Sequence, residues 1–203
     1  MGTLGRLILV TGPVRSGKSR FAERLAAQLA NGGEVAYVAT ARMWDQEMAA
    51  RVAAHQASRP AKWRTVEEPA ALGDAVRATQ TSAAVVLVES LDMWVSNRLL
   101  EGRLDVEGDD TQLDAARLAA VEEGLLAEVA GLCEGRGAHL VVVTVEAGWG
   151  VVPPYPLGRA FRDVLGRVNA ALAERADAVY LLVAGLPVDV KALAARTPME
   201  GGG

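Results

Sequence analysis

The stretch Leu7-Ile8-Leu9-Val10-Thr11-Gly12-Pro13-Val14-Arg15-Ser16-Gly17-Lys18-Ser19 decides how this chain is read. Leu7 to Thr11 is a short leucine and β-branched run ending at a glycine, the pattern of a buried strand. From Lys18 to Ala30, charges separate Phe21, Leu25 and Leu29, and Gly32-Gly33 follows. That predicts an amphipathic helix with a glycine stop. Between the two elements, Gly12–Ser19 matches G-x-x-x-x-G-K-[ST] in full. The glycines let the backbone curl so that successive N–H groups face one phosphate, and the helix N-terminus adds favourable potential. Lys18 is placed to reach the β- and γ-phosphates, and the Ser19 hydroxyl to coordinate Mg²⁺. Only three of the 21 basic residues are lysines, and one stands here, where lysine and arginine are not interchangeable.

Outward from this loop, strand-like runs alternate with helix-period segments. Val35–Thr40, Ala84–Glu89, Leu140–Thr144 and Val179–Ala184 read as strands. Asp45–His55, Pro69–Ala78, Ser90 to about Leu100, Gln112–Glu134 and Leu157–Ala176 read as helices. The acidic segment EGRLDVEGDD reads as a loop. Alternation of this kind predicts an α/β fold with a mostly parallel central sheet covered on both faces. No repeat or long linker divides the chain, so one domain is expected over residues 1–191, with a frayed tail at 192–203.

The chain has 203 residues, 51% of them apolar, and a formal net charge of −4. This is enough length for one real core. The apolar runs fall short of the roughly 20 residues of a membrane span, and MGTLGRLILV has too short an apolar run for a signal peptide. Arg6 stands where a myristoylation motif requires Ser or Thr. A cytoplasmic protein is expected. The acidic balance, without a basic cluster, argues against a nucleic-acid binder. The single cysteine, Cys133, excludes an internal disulfide and a cysteine-based zinc site, and its apolar surroundings point to a structural thiol.

A phosphate loop of this type usually works with a carboxylate at the end of a neighbouring strand that holds the Mg²⁺ shell. Glu89, closing AVVLVE, is the candidate, with Asp92 as rival; beside Ser90, Asp92 also suits the start of a helix. The D-x-x-G and N-K-x-D signatures of a signalling GTPase are absent after the third and fourth strands. Small-molecule kinases, nucleotidyltransferases and non-catalytic nucleotide sensors stay open. His139 has no polar company and reads as structural, while His55, at a helix end, reads from spacing alone as a helix-dipole partner.

Several separate segments in order, TGPVRSGKS, VATARMWDQEMAARVAAHQASRP, WRTVEEP, VLVESLDMWVSNRLL, GWGVVP and LGRAFRDVLGRVNAALAERADAVYLLVAGLPVDVK, change that reading. Together they resemble the bifunctional adenosylcobinamide kinase/adenosylcobinamide-phosphate guanylyltransferase family over about residues 7 to 191. The resemblance implies a RecA-like three-layer P-loop NTPase fold and a transferase of cobalamin biosynthesis using GTP and ATP with Mg²⁺. It also implies a homo-oligomer, a trimer, with sites between subunits. The motif Glu47-Met48, Arg51, His55, Arg59-Pro60 makes His55 the implied guanylylated nucleophile. The implied guanine-nucleotide contacts are Gly12, Pro13, Val14, Arg15, Ser16, Gly17, Lys18 and Ser19, then Thr40, Ala41 and Arg42, then Gln56, Ala57, Ser58 and Arg59, and finally Glu67 and Glu89. Glu68 competes with Glu67 for its place. Relatives carry asparagine where this chain has Val145, before the glutamate of the fourth-strand loop. A monofunctional relative or a nucleotide-binding regulatory protein would share the same loop.

Overall fold

The computed structural model describes residues 4–42, 60, 62–102, 104–106 and 109–194. Strands β1 (Leu7–Thr11), β2 (Val35–Ala39), β3 (Arg64–Glu67), β4 (Val85–Glu89), β7 (His139–Val143), β8 (Ala178–Val183) and β9 (Leu186–Asp189) form a seven-stranded sheet in the order β3-β2-β4-β7-β1-β8-β9. Every neighbouring pair is parallel except β8 and β9, which form an antiparallel hairpin at one edge. The helices are α1 (Lys18–Ala30), α2 (Leu72–Gln80), α3 (Leu91–Glu101), α4 (Ala115–Leu132), α5 (Pro156–Arg175) and the short α6 (Val190–Leu193).

Side-chain alternation along the strands builds a core on each face of the sheet. Leu7 and Leu9 of β1, with Val86 and Val88 of β4, pack under α2 to α5, against Val76, Trp94, Val129 and Val168. Ile8 and Val10, with Val85 and Leu87, face the other way and meet α1. The helix α1 turns Ala22, Ala26 and Ala30 to the sheet, while Phe21, Leu25 and Leu29 flank the contact. Alanines at i, i+4 and i+8 bring helix and sheet backbones close together. The expected three-layer P-loop NTPase architecture is therefore present, with its mostly parallel sheet between two helical layers.

Several expected boundaries move for identifiable reasons. Residues expected to open the long helix at Gln112 instead belong to β6 (Asp109–Leu113), which pairs with β5 (Asp105–Val106) inside the segment read as a loop. The helix starts at Ala115 because the Asp114 side chain caps it, accepting from the N–H groups of Ala116 and Arg117. The helix expected from Pro69 starts at Leu72, after Glu68 Oε1 accepts from the Ala70 and Ala71 N–H groups at 2.9 and 2.8 Å. The strands β3 and β9 carry no expectation from the sequence. The short α6, capped by Asp189, runs to Leu193, two residues into the segment expected as a tail; residues 195–203 of that segment lie outside the described residues. The expected helix Asp45–His55 lies outside the described residues. Among the described residues, no helix is long and apolar enough to cross a membrane.

Candidate active site

The C-terminal ends of the parallel strands gather the described candidate residues along one edge, the usual crevice of an open α/β sheet. Gly12, directly after β1, has φ 144°. A Cβ there would stand 2.6 Å from the Leu182 carbonyl oxygen, so close backbone approach as well as conformation requires glycine. Arg15 (φ 59°) and Gly17 (φ 92°) complete the curl. The loop is tied to the sheet from two sides: Glu146 N–H donates to the Gly12 carbonyl at 3.3 Å, and Gly185 N–H to the Ser16 carbonyl at 3.0 Å. Pro13, Val14 and Arg15 are exposed, whereas Ser16 is buried with its hydroxyl unpartnered.

Lys18, on the first turn of α1, folds back over the loop and donates from Nζ to the Pro13 carbonyl at 2.8 Å. Burial lowers its pKa, and the negative charges of Asp92 and Glu89 oppose that shift. One residue on, Ser19 Oγ donates to Glu89 Oε1. Burial pushes the Glu89 carboxyl up to about 7; the Ser19 hydrogen bond pulls it down, and Asp92 and Glu23 push it further up. Asp92 is raised by its own burial, against the Ser90 hydroxyl and Lys18.

Glu89 was expected on a strand neighbouring β1. It is one strand further away, because β7 lies between β1 and β4. The first turn of α1 spans that gap. Asp92 sits in the first turn of α3, whose N-cap is Ser90, as its sequence position suggested. It also faces Lys18 electrostatically, which local sequence does not reveal.

The donor chemistry fits a hard divalent cation. Glu89 Oε2, on the carboxyl that takes the Ser19 hydrogen bond, is buried without a hydrogen-bond partner, and so is Oδ1 of Asp92, whose charge acts on Glu89. Among the described residues no three His, Cys, Asp or Glu side chains converge as a metal cluster. One or two carboxylates plus a hydroxyl suit Mg²⁺, which takes its remaining ligands from water and substrate phosphates.

At the end of β2, Thr40 is fully buried and its hydroxyl is committed to backbone. Its Oγ1 donates to the Ser90 carbonyl at 2.7 Å and accepts from the Ser90 N–H at 2.8 Å. Asn97 Nδ2 donates to the Thr40 carbonyl at 2.8 Å. Thr40 thus joins β2 to the turn that carries Glu89 and Asp92. Ala41 follows it half-buried, and Arg42 pairs with Glu101 at the end of α3. Glu67 closes β3 and is exposed, opposite Ala39 in the register. Glu68 Oε1 accepts the turn hydrogen bonds before α2, while the exposed Glu67 stands at the strand end. His55 and Gln56, Ala57, Ser58 and Arg59 lie outside the described residues, as do Glu47, Met48 and Arg51.

Glu146, the glutamate that follows Val145, was given no role by the motif reading. It accepts from Thr11 Oγ1 at 2.8 Å, so a carboxylate stands at the root of the phosphate loop. Its signal was its place just past the fourth predicted strand; the strand order supplied the rest. His139 Nδ1 accepts from the Arg6 N–H at 3.1 Å, far from this edge, in keeping with a structural role. Burial raises the Cys133 thiol pKa, which makes it a poor nucleophile.

Residues 8–190 match the sequence model of the family described as cobinamide kinase / cobinamide phosphate guanyltransferase. The chain belongs to this family. It is 41% identical over 188 residues to the bifunctional adenosylcobalamin biosynthesis protein CobU of Escherichia coli, covering 91% of this chain and 99% of that protein. It is 44% identical over 183 residues to the bifunctional adenosylcobalamin biosynthesis protein CobP of Pseudomonas aeruginosa, covering 90% and 96%. Among solved structures it is similar to the flagellar accessory protein FlaH from Methanocaldococcus jannaschii, with a TM-score of 0.42 and 14% identity over 88% of this chain and 71% of that one. The cobinamide kinase / guanyltransferase family is one of transferases, and the match spans every strand and helix of the nucleotide edge.

Proposed function

We propose that this chain carries both activities of its family, phosphorylating the aminopropanol hydroxyl of adenosylcobinamide and then transferring GMP from GTP to the product. The observation that carries the reading is the arrangement of Lys18, Ser19 and Glu89 around a curled Gly12–Ser19 loop, in a chain matched to that family over residues 8–190.

In the kinase step, the loop N–H groups and Lys18 hold the β- and γ-phosphates of ATP or GTP. Ser19 and Glu89 would hold Mg²⁺, within the electrostatic influence of Asp92. A cation held there would neutralise charge on the transferring phosphoryl group. The acceptor hydroxyl attacks the γ-phosphorus, the P–O bond to the β-phosphate breaks, and the nucleoside diphosphate leaves. Thr40 keeps the Glu89–Asp92 turn in register with the loop, and Glu67, Arg42 and Ala41 border the nucleotide.

In the guanylyltransferase step, neutral His55 attacks the α-phosphorus of GTP. A P–N bond forms and pyrophosphate departs. The phosphate of adenosylcobinamide phosphate then attacks the phosphoramidate, giving adenosylcobinamide-GDP and restoring the imidazole. A histidine intermediate divides one difficult displacement between two phosphate groups into two easier ones. Because only the neutral imidazole attacks, guanylyl transfer falls as pH drops through the histidine pKa. Gln56, Ala57, Ser58 and Arg59 belong to the same nucleotide-contacting segment. A cytoplasmic homotrimer is part of the reading, and light scattering of the purified protein measures its assembly.

The test is incubation with GTP labelled at the α-phosphate. An acid-labile, alkali-stable label on the protein, absent from His55→Ala, is expected; its retention in that variant sinks the assignment. Separate phosphorylation and guanylylation assays distinguish the bifunctional enzyme from a monofunctional one.

A further inference from the structure

The segment between β7 and α5, residues 144–155, contains the GWGVVP motif that neither nucleotide chemistry nor the core uses. It leaves Trp149, Val151, Val152 and Tyr155 exposed, with Val151 96% and Trp149 66% open to solvent. Exposed side chains of this size grouped on one short segment mark a binding surface. The backbone beneath them is braced. Arg162 donates to the Gly148 carbonyl and, at 3.1 Å, to the Gly150 carbonyl. Arg159 donates to the Pro153 and Pro154 carbonyls at 3.2 and 2.7 Å. Three prolines, Pro153, Pro154 and Pro156, stiffen the same stretch. The Tyr155 ring lies so close to Gly158 that a Cβ there would be 2.5 Å from Tyr155 Cε2, so the missing side chain sets the ring against the start of α5. A cleft of about 240 Å³ opens beside the ring, lined by Leu99, Leu100, Leu157 and Phe161.

The strap begins at the active edge. Its root, Glu146, is bonded to Gly12 through the backbone and to Thr11 through its carboxylate. Trp149 is three residues further, within roughly 10 Å of chain. From Ala147 to Gly158 no side chain is charged. The two arginines beneath are spent on the strap's own carbonyls, so the surface offers nothing to an anionic nucleotide. It suits a flat, conjugated ligand edged with methyl and neutral amide groups. The acceptor of the proposed reaction is such a molecule, a corrinoid whose hydroxyl arm must reach the phosphate loop while its macrocycle rests elsewhere. As a contact between copies the strap is small: four such side chains offer on the order of 400–500 Å², below the ~800 Å² per partner of a stable interface.

We propose that the strap Trp149–Tyr155, with the cleft beside Tyr155, is the docking surface for the corrin macrocycle of cobinamide. The assignment rests on the family reading of the acceptor. The macrocycle lies against Trp149 and Tyr155, and its aminopropanol arm points past Glu146 to the phosphate loop.

Two measurements test it. In steady-state kinase assays, Trp149→Ala and Val151→Asp should each raise the KM for cobinamide about tenfold, the size expected for losing one well-buried anchor, while the KM for GTP does not move. In wild type, cobinamide should quench Trp149 fluorescence, read as the difference from Trp149→Phe, with the concentration dependence of binding. An unchanged cobinamide KM in both variants, with wild-type turnover present, overturns the strap assignment alone. Variants that lose the wild-type oligomeric mass assign the surface to a contact between copies and also overturn it. A wild type that phosphorylates no cobinamide refutes the family reading, and the strap with it.

Discussion

Burial holds Glu89 near neutrality, with one carboxyl oxygen on the Ser19 hydroxyl and the other without a partner. A carboxyl raised to about 7 binds its proton in the folded chain at a pH where the unfolded chain has already released it. Its contribution to stability is therefore fully present where both states are protonated, below the ordinary glutamate range. It is lost as pH rises from that range through about 7. Asp92 is shifted in the same direction, also by burial. Urea unfolding of the nucleotide-free protein should show stability falling by up to about 3 kcal/mol between pH 5 and pH 8 on account of Glu89. Glu89→Gln should flatten that fall, because glutamine keeps an oxygen for Ser19 and has no proton to lose. A variant with the wild-type slope would place the titrating group elsewhere. That cost is what the cation proposed above for Ser19 and Glu89 would offset, because a positive charge beside a buried carboxylate favours its ionised form.

At the scale of elements, the joint between β2, β4 and α3 carries the site. Thr40 Oγ1 bonds both backbone groups of Ser90, and Asn97 holds the Thr40 and Pro69 carbonyls from α3. Thr40→Val keeps the shape and removes the hydroxyl, leaving two part-buried backbone groups unpaired. A loss of about 1–3 kcal/mol is expected, measured by denaturant unfolding, with Thr40→Ser restoring most of it. A Val variant as stable as wild type would show that water replaces the clamp. This joint also explains what could be read in advance. The phosphate loop is a local motif between a buried strand and a helix, so Gly12–Ser19 was legible from order alone, and Glu89 from its place at a strand end. The edge strands were not: Arg64-Thr65-Val66-Glu67 has one apolar side chain, and Leu186–Asp189 contains a proline, because an edge pairs on one side only. Asp92 facing Lys18, and Glu146 under Gly12, depend on β7 inserting between β1 and β4, which is a property of the strand order and leaves no local trace.

In the whole molecule, the loop is braced by elements distant in sequence. It leaves β1, takes hydrogen bonds from Glu146 after β7 and from Gly185 in the β8–β9 turn, and runs into α1, which packs on β4 and β7. Ligand held by this loop therefore ties together strands from the centre and one side of the sheet, so nucleotide binding should appear as global stabilisation. At a hundredfold excess over Kd, GTP with Mg²⁺ adds about 2.7 kcal/mol to a state that alone binds it. For a chain of this size each kcal/mol raises Tm by roughly 2–4 °C, giving a rise of about 5–10 °C. Lys18→Ala at the same nucleotide concentration should lose most of that rise, because the phosphates then lack the cation that lies over the loop. Taking the difference with and without nucleotide for each protein cancels any effect of the substitution on the empty fold. An equal rise in both proteins would mean that the stabilising nucleotide sits away from Lys18. A rise in wild type alone would place it at the loop that three strands and α1 hold in common.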